Sequence, residues 1–251
     1  MPHGTKTPGR SSKRARQQER AERILDSTAE LILRWGYGKV TIDDIARQAG
    51  IGKGTIYLHW KTREDLFEAL LLRESALMMK QLIQFIQQEQ DGILLHRLIQ
   101  FFFKLTERHP LIKALFTGDR EMLGHLASAN SPDNFLRFQR LLFAREYISI
   151  LRARGLLLRD MQIADQIYAI LATISGFFLV NLSLRDADLP DIGEKSQTLA
   201  QTIHNAFGPH HTPSATALQE ALQSALPSFE QLYAELQSRL EQKGGTESAQ
   251  L

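Results

Sequence analysis

Within the stretch AGIGKGTIY, residues 49–57, three glycines, a lysine and a threonine fall in six consecutive positions, 50–55. Two chemistries use such residues. One is a glycine-rich loop whose amides cradle a nucleotide phosphate. The other is a tight turn that delivers a helix to DNA. Spacing separates them. A phosphate loop needs glycine, four residues, then Gly-Lys-Ser/Thr. Here Gly54 follows Lys53, so the magnesium-binding hydroxyl of Thr55 comes one place too late, and the leading glycine position holds Arg47. Such a loop also follows a buried strand. The residues before this one, TIDDIARQA, space Ile42, Ile45, Ala46 and Ala49 as a helix does.

Other chemistries find little support. The 251 residues include no cysteine, which excludes disulfides, thiolate catalysis and cysteine-based zinc sites. No His-Glu zinc motif, nucleophile elbow or dinucleotide fingerprint occurs. Asp43 and Asp44 are neighbours on a helix and point in different directions. The chain is therefore not read as an enzyme, and no cofactor or metal is implied. The first twenty residues lack an apolar run, so no secretory signal is visible and a cytoplasmic setting is expected.

The net charge of +2 hides an asymmetry. Residues 1–63 carry 13 Lys and Arg against 6 Asp and Glu, whereas residues 64–251 carry 17 against 22. A basic first segment suits a polyanion, and an acidic remainder does not. A basic tail joined to an ordinary solvated face gives the same balance.

The elements that must position the glycine-rich turn are helical. Ile24, Thr28, Leu31, Ile32 and Trp35 mark one face of a first helix that begins near Gln17 and ends at Gly36 and Gly38. Thr41 caps a second helix, with Asp44 three places on. Thr62 and Asp65 repeat that pattern before a fourth. A short third helix covers about 53–60. Further apolar stretches at 66–86, 93–105, 111–126, 135–151, 163–184, 196–207 and 217–240 are separated by Gly, Pro, Asp and Asn. No alternating strand pattern appears, so the fold class is all-α. Residues 166–184 are uncharged for 19 positions, near the ~20 that span a bilayer. Their Gln166, Thr173, Ser175, Asn181 and Ser183 favour a buried helix, and no membrane partner is expected.

Residues 42–60 meet the demands of a helix-turn-helix. Ala46 allows close approach of the second helix and Gly50 makes the sharp turn. Ile45, Ala49, Ile51, Ile56 and Trp60 hold the pair against Leu31 and Ile32. The segment from Glu22 to Leu70 resembles the DNA-binding domain of the tetracycline-repressor (TetR) family of bacterial transcription regulators. The resemblance is carried by the helix-end GY, by T-x-x-D-I-A-x-x-A-G, by K-G-T-I-Y and by K-x-R-E-D-L. It covers about residues 18–78. Two departures are Gly52 where Ser or Thr is usual, and Trp60 where Phe is commoner.

By that resemblance, Lys53, Thr55, Tyr57, His59 and Lys61 are candidates for DNA contact. Lys53 and Lys61 would neutralise phosphates, and Tyr57 would donate its hydroxyl to one. Leu58 could meet a thymine methyl and Thr41 a phosphate. Gly54 would let the backbone approach the duplex. Against these stand a solvated lysine and a packing role for His59. The basic residues Arg10, Lys13, Arg14 and Arg16 could form an arm into a minor groove or a merely disordered tail.

The organisation read from the sequence is a disordered basic arm (1–17), a DNA-binding domain (18–78), a helical effector-binding and dimerisation domain (79–208) and a partly helical C-terminal extension (209–251). The resemblance implies a homodimer, a palindromic operator and a small-molecule effector. The pairing helices would come from 160–184 and 194–207, where Ala169, Ala172, Thr173 and Gly176 make a small-residue face. Candidates for an effector cavity are Phe102, Phe116, Arg120, Phe138, Tyr147, Phe177 and Asn181, within an aromatic region that also holds His96, His125 and Glu146. The leucine stripe from Leu218 to Leu240 is expected to break at Pro227. The function expected is a repressor released by an apolar or amphipathic effector. A helical adaptor, or an activator without an effector, is the alternative.

Overall fold

The computed structural model describes residues 10–124, 135–180 and 190–244. The helices are α1 (Arg10–Trp35), α2 (Ile42–Ala49), α3 (Lys53–His59), α4 (Arg63–Gln88), α5 (Leu95–Thr106), α6 (Pro110–Thr117), α7 (Arg120–Leu123), α8 (Phe135–Ala153), α9 (Ile163–Leu179), α10 (Ile192–Phe207) and α11 (Ala215–Gly244). A 3-10 turn, Tyr37–Lys39, precedes α2. No strand occurs among the described residues.

Two hydrophobic cores divide the molecule. Ile24, Leu31, Ile32, Ile45, Ile56, Trp60, Leu66 and Phe67 belong to the first, which α1–α3 and the start of α4 enclose. Leu111, Ala114 and Leu115 of α6 and Leu123 of α7 close this core from the other domain. The second core runs from Leu72 through α11. The cores part between Leu71 and Leu72, inside the continuous helix α4. A helix unbroken for 26 residues therefore carries the connection between the domains.

Three sequence expectations change. Helix α1 begins at Arg10, so residues 10–17 extend the helix rather than belonging to a disordered arm. Its Arg-, Gln- and Glu-rich composition favours helix without a core to bury, and Gln18 hydrogen-bonds Glu22 one turn on at 2.8 Å. Trp35 is 42% exposed and leaves the buried face. The C-terminal stripe is not broken. Helix α11 runs through Pro227 and buries Leu218, Ala221, Ala225, Phe229, Leu232 and Leu236. Proline removes one backbone hydrogen bond, and the packing on either side outweighs that loss.

The uncharged stretch forms a packed helix. Gln166 on α9 is fully buried. Arg152 donates to its Oε1 at 2.6 Å, and its amide donates to the Leu158 carbonyl at 3.0 Å. Among the described residues no helix is long and apolar enough to cross a membrane.

Candidate nucleic-acid interface

Capping boxes fix the helices on either side of the recognition helix. The Thr41 side chain accepts from the Asp44 amide, and the Asp44 carboxylate accepts from the Thr41 amide at 3.2 Å. Thr62 and Asp65 form the same reciprocal box at the start of α4. Hydrogen bonds from Thr41 hold the Asp44 carboxyl below the usual carboxylate range. Between the boxes, Gly50 ends α2 at φ 65° and ψ 38°. A residue with a Cβ pays ~1–2 kcal/mol to adopt that left-handed conformation. The turn directs α3 away from α2, and Ile51 returns a backbone bond to the Ala46 carbonyl at 3.0 Å.

Helix α3 is split by burial. Ile56 and Trp60 anchor it in the first core. Lys53, Gly54, Tyr57 and Leu58 face outward, with Tyr57 44% and Leu58 54% exposed. Thr41 and Lys61 are exposed as well, and Thr55 is half-buried. All seven of these candidates reach the surface. His59 does not join them. It is 3% exposed, its ring 5.3 Å from that of Trp60. Trp60 fits the core with 1% exposure, although its indole N–H has no hydrogen-bond partner. Of the basic arm, Arg16 is exposed on α1. The side chains of Arg10, Lys13 and Arg14 lie outside the described residues.

Lys53 is not alone on this surface. Its Nζ lies 2.9 Å from Asp43 Oδ2, and both groups are exposed. The hydrogen bond and charge of Asp43 push the Lys53 ammonium above its ordinary range, so it stays charged. Arg47, also exposed, lies 3.7 Å from Asp44.

Sequence reasoning missed Arg63. Its guanidinium stacks over the rings of Tyr37, 4.1 Å to the centroid, and Phe67. It also donates to the Val40 carbonyl at 3.0 Å and to the Tyr37 carbonyl. One side chain thus ties the segment before α2 to the first turn of α4, with the helix-turn-helix held between them. The pairing spans 26 residues, and no local spacing announces it.

A second site lies in the other domain. A cavity of about 200 Å³ is lined by α4, α5, α6, α8, α9 and α11, through side chains such as Met78, Leu98, Phe102, Phe116, Tyr147, Ile170 and Phe229. Ser75 and Tyr147 are the polar residues on its described wall, and the Tyr147 hydroxyl is already used, donating to the Ile93 carbonyl at 2.6 Å. Phe102, Phe116 and Tyr147 were expected at such a cavity and line it. Arg120 sits exposed on α7, away from it, and Phe177 packs beside Phe103 at 6.5 Å instead. The Phe138 side chain and Asn181 lie outside the described residues.

Together the fold and its exposed α3 define a helix-turn-helix domain of the DNA-binding class. Residues 24–70 match the family model described as bacterial regulatory proteins, tetR family. That match shows a DNA-binding domain of the TetR-family type within this chain. The fatty acid metabolism regulator protein of Bacillus subtilis is 34% identical over 70 residues, 28% of this chain and 32% of that protein. The regulator SrpR of Pseudomonas putida is 33% identical over 57 residues, 23% of this chain and 27% of its own. The match spans about a third of these relatives' length. Among solved structures, the fatty acid degradation regulator FadR of Bacillus halodurans superposes with a TM-score of 0.57 at 16% identity, over 79% of this chain and 96% of that one. A gamma-butyrolactone receptor gives 0.53 at 15% identity, over 86% and 99%. At these identities the likeness is one of fold.

Proposed function

We propose that the protein is a ligand-responsive repressor that binds a palindromic operator as a homodimer and is released by a small apolar effector. The observation that carries the reading is the cavity. It is lined largely by hydrocarbon, and helix α4 forms part of its wall through Ser75, Met78, Met79 and Leu82. The same helix begins at Arg63, four residues after the recognition helix ends. A ligand that favours one position of α4 would shift the helix-turn-helix with it, as a population shift between two arrangements. The names of relatives and neighbours agree in kind: a fatty acid metabolism regulator, a gamma-butyrolactone receptor and a triclosan complex of SmeT.

The homodimer reading rests on α9 and α10. Tyr168 is 75% exposed, and Leu171, Ala172, Gly176 and Leu179 are exposed on the same helix, with Val180 exposed just beyond its end. On α10, Gln197, Thr198, Gln201, Thr202, Asn205 and Ala206 add an uncharged exposed face. An apolar and uncharged surface of this kind suits pairing with a second copy.

Selection of bound fragments from sheared genomic DNA tests the whole reading. A palindrome should emerge, and its affinity should fall steeply with salt. No enrichment, or a salt-insensitive association, would remove the DNA-binding role.

A further inference from the structure

Helix α11 is an unusual bridge between the two halves of the molecule. Phe229, Leu232 and Leu236 form part of the cavity wall. Leu240, one turn further, packs against both hydrophobic cores. Lys243 ends the helix against the DNA-binding domain, with its Nζ 3.0 Å from Asp65 Oδ1 and 2.6 Å from Glu68 Oε2. At 1.5 Å per residue, Leu236 and Lys243 are roughly 10 Å apart along one rigid helix.

The partner of Lys243 matters. Asp65 Oδ2 accepts from the Thr62 hydroxyl at 2.7 Å and from the Thr62 amide at 3.2 Å. One carboxylate therefore closes the cap of α4 with one oxygen and holds α11 with the other. Thr62 lies three residues beyond His59, the last residue of the recognition helix.

We propose that α11 is a second transmission arm, in which Lys243, as a positioning residue, couples occupancy of the cavity to the orientation of the DNA-binding domain through Asp65 and Glu68. This rests on the ligand-responsive reading above. A ligand that displaces Leu232 or Leu236 moves the helix, and the clamp passes that movement to the junction of α3 and α4. Helix α4 leaves the cavity by a different route, so the two arms act on the same junction from two sides.

The test uses the full chain and a labelled genomic fragment selected by the wild type. N-phenyl-1-naphthylamine, a neutral three-ring fluorophore, serves as the cavity probe and reports its own binding. DNA affinity is measured with and without saturating probe for the wild type, Lys243→Glu, and the charge swap Lys243→Glu with Glu68→Lys. Lys243 is remote from the cavity, so Lys243→Glu should bind the probe within twofold of the wild type. The factor by which the probe weakens DNA binding should shrink at least threefold, and the swap should recover part of it. Lys243→Gln, which only removes the charge, should shrink it in the same direction. Hydrogen exchange at residues 63–68 should rise in both single variants. An unchanged factor in Lys243→Glu overturns the arm and leaves the ligand-responsive reading standing. A reduced factor that the swap does not recover also overturns it. A wild type that binds the probe with no change in DNA affinity removes both readings.

Discussion

Lys53 and Asp43 face each other across the helix-turn-helix, Nζ to Oδ2 at 2.9 Å, on the surface that would meet DNA. Asp43 holds the lysine in place, yet it also sets a negative charge beside the phosphates. An exposed pair of this sort is screened by salt. On DNA the phosphate should replace Asp43 as partner. Lys53→Ala should therefore weaken binding and make the salt slope shallower by about one unit. Asp43→Asn should tighten binding, by roughly threefold at low salt and less at high salt. Anisotropy titrations at two salt concentrations decide the matter, and tighter binding by Lys53→Ala would place α3 off the duplex.

Gly54 separates stability from binding. A Cβ there would meet nothing within 4 Å, and its backbone is not in the left-handed region. Gly54→Ala should raise stability by about 0.5–1 kcal/mol through helix propensity. It should nonetheless weaken operator binding by about tenfold, because the methyl would stand on the surface proposed to approach DNA. Urea unfolding and DNA titration on the same sample read both effects. Full retention of affinity would mean that this backbone stays clear of the groove.

Gly176 offers a similar handle on assembly. It is exposed on α9, and a Cβ there would have open space. Gly176→Arg should leave the helical circular dichroism intact and convert a dimer to a monomer in sedimentation. Operator affinity should fall as the two half-sites lose their linkage. A Gly176→Arg dimer of wild-type strength would move the interface elsewhere.

Glu74 predicts the acid limit of the junction between domains. The Gln81 amide lies 3.0 Å from His109 Nε2, which assigns the ring proton to Nδ1, 3.2 Å from Glu74 Oε2. Arg73 lies 3.0 Å from the other oxygen and also pairs with Asp26 of α1 at 2.7 Å. Burial works to raise the Glu74 carboxyl, but the His109 hydrogen bond and the Arg73 charge hold it below its ordinary 4.5. A carboxyl depressed in the folded state stabilises above its unfolded value and loses that contribution as pH falls through the folded one. Glu74→Gln should cost about 1–3 kcal/mol at pH 7, where Arg73 keeps its other partners. The gap to wild type should close below pH 4.5. A gap that is the same at pH 7 and pH 3 would show that Glu74 is not charged in the fold.

Much of this protein was written locally. Capping at Thr41 and Thr62, the turn at Gly50 and the 3.6-residue spacing of Ile42, Ile45 and Ala49 are short-range physics, so the helix-turn-helix was legible residue by residue. Exposure of Tyr57 and Leu58 followed from their places between the anchors Ile56 and Trp60, and that of Lys53 from its place at the start of the helix. His59 was ambiguous because a histidine at a helix end suits either a phosphate or a core, and its contact with Trp60 decided for the core. Pro227 misled because a local rule met a helix stabilised along its whole length by distant partners. The cavity, the stacking of Arg63 on Tyr37 and the clamp of Lys243 on Asp65 join residues 26 to 178 positions apart. Sequence determined the helices and the reading head, since those depend on neighbours within a few turns. Only the tertiary structure decided which helices line a cavity and which side chain joins α11 to the start of α4, because both depend on how finished helices pack.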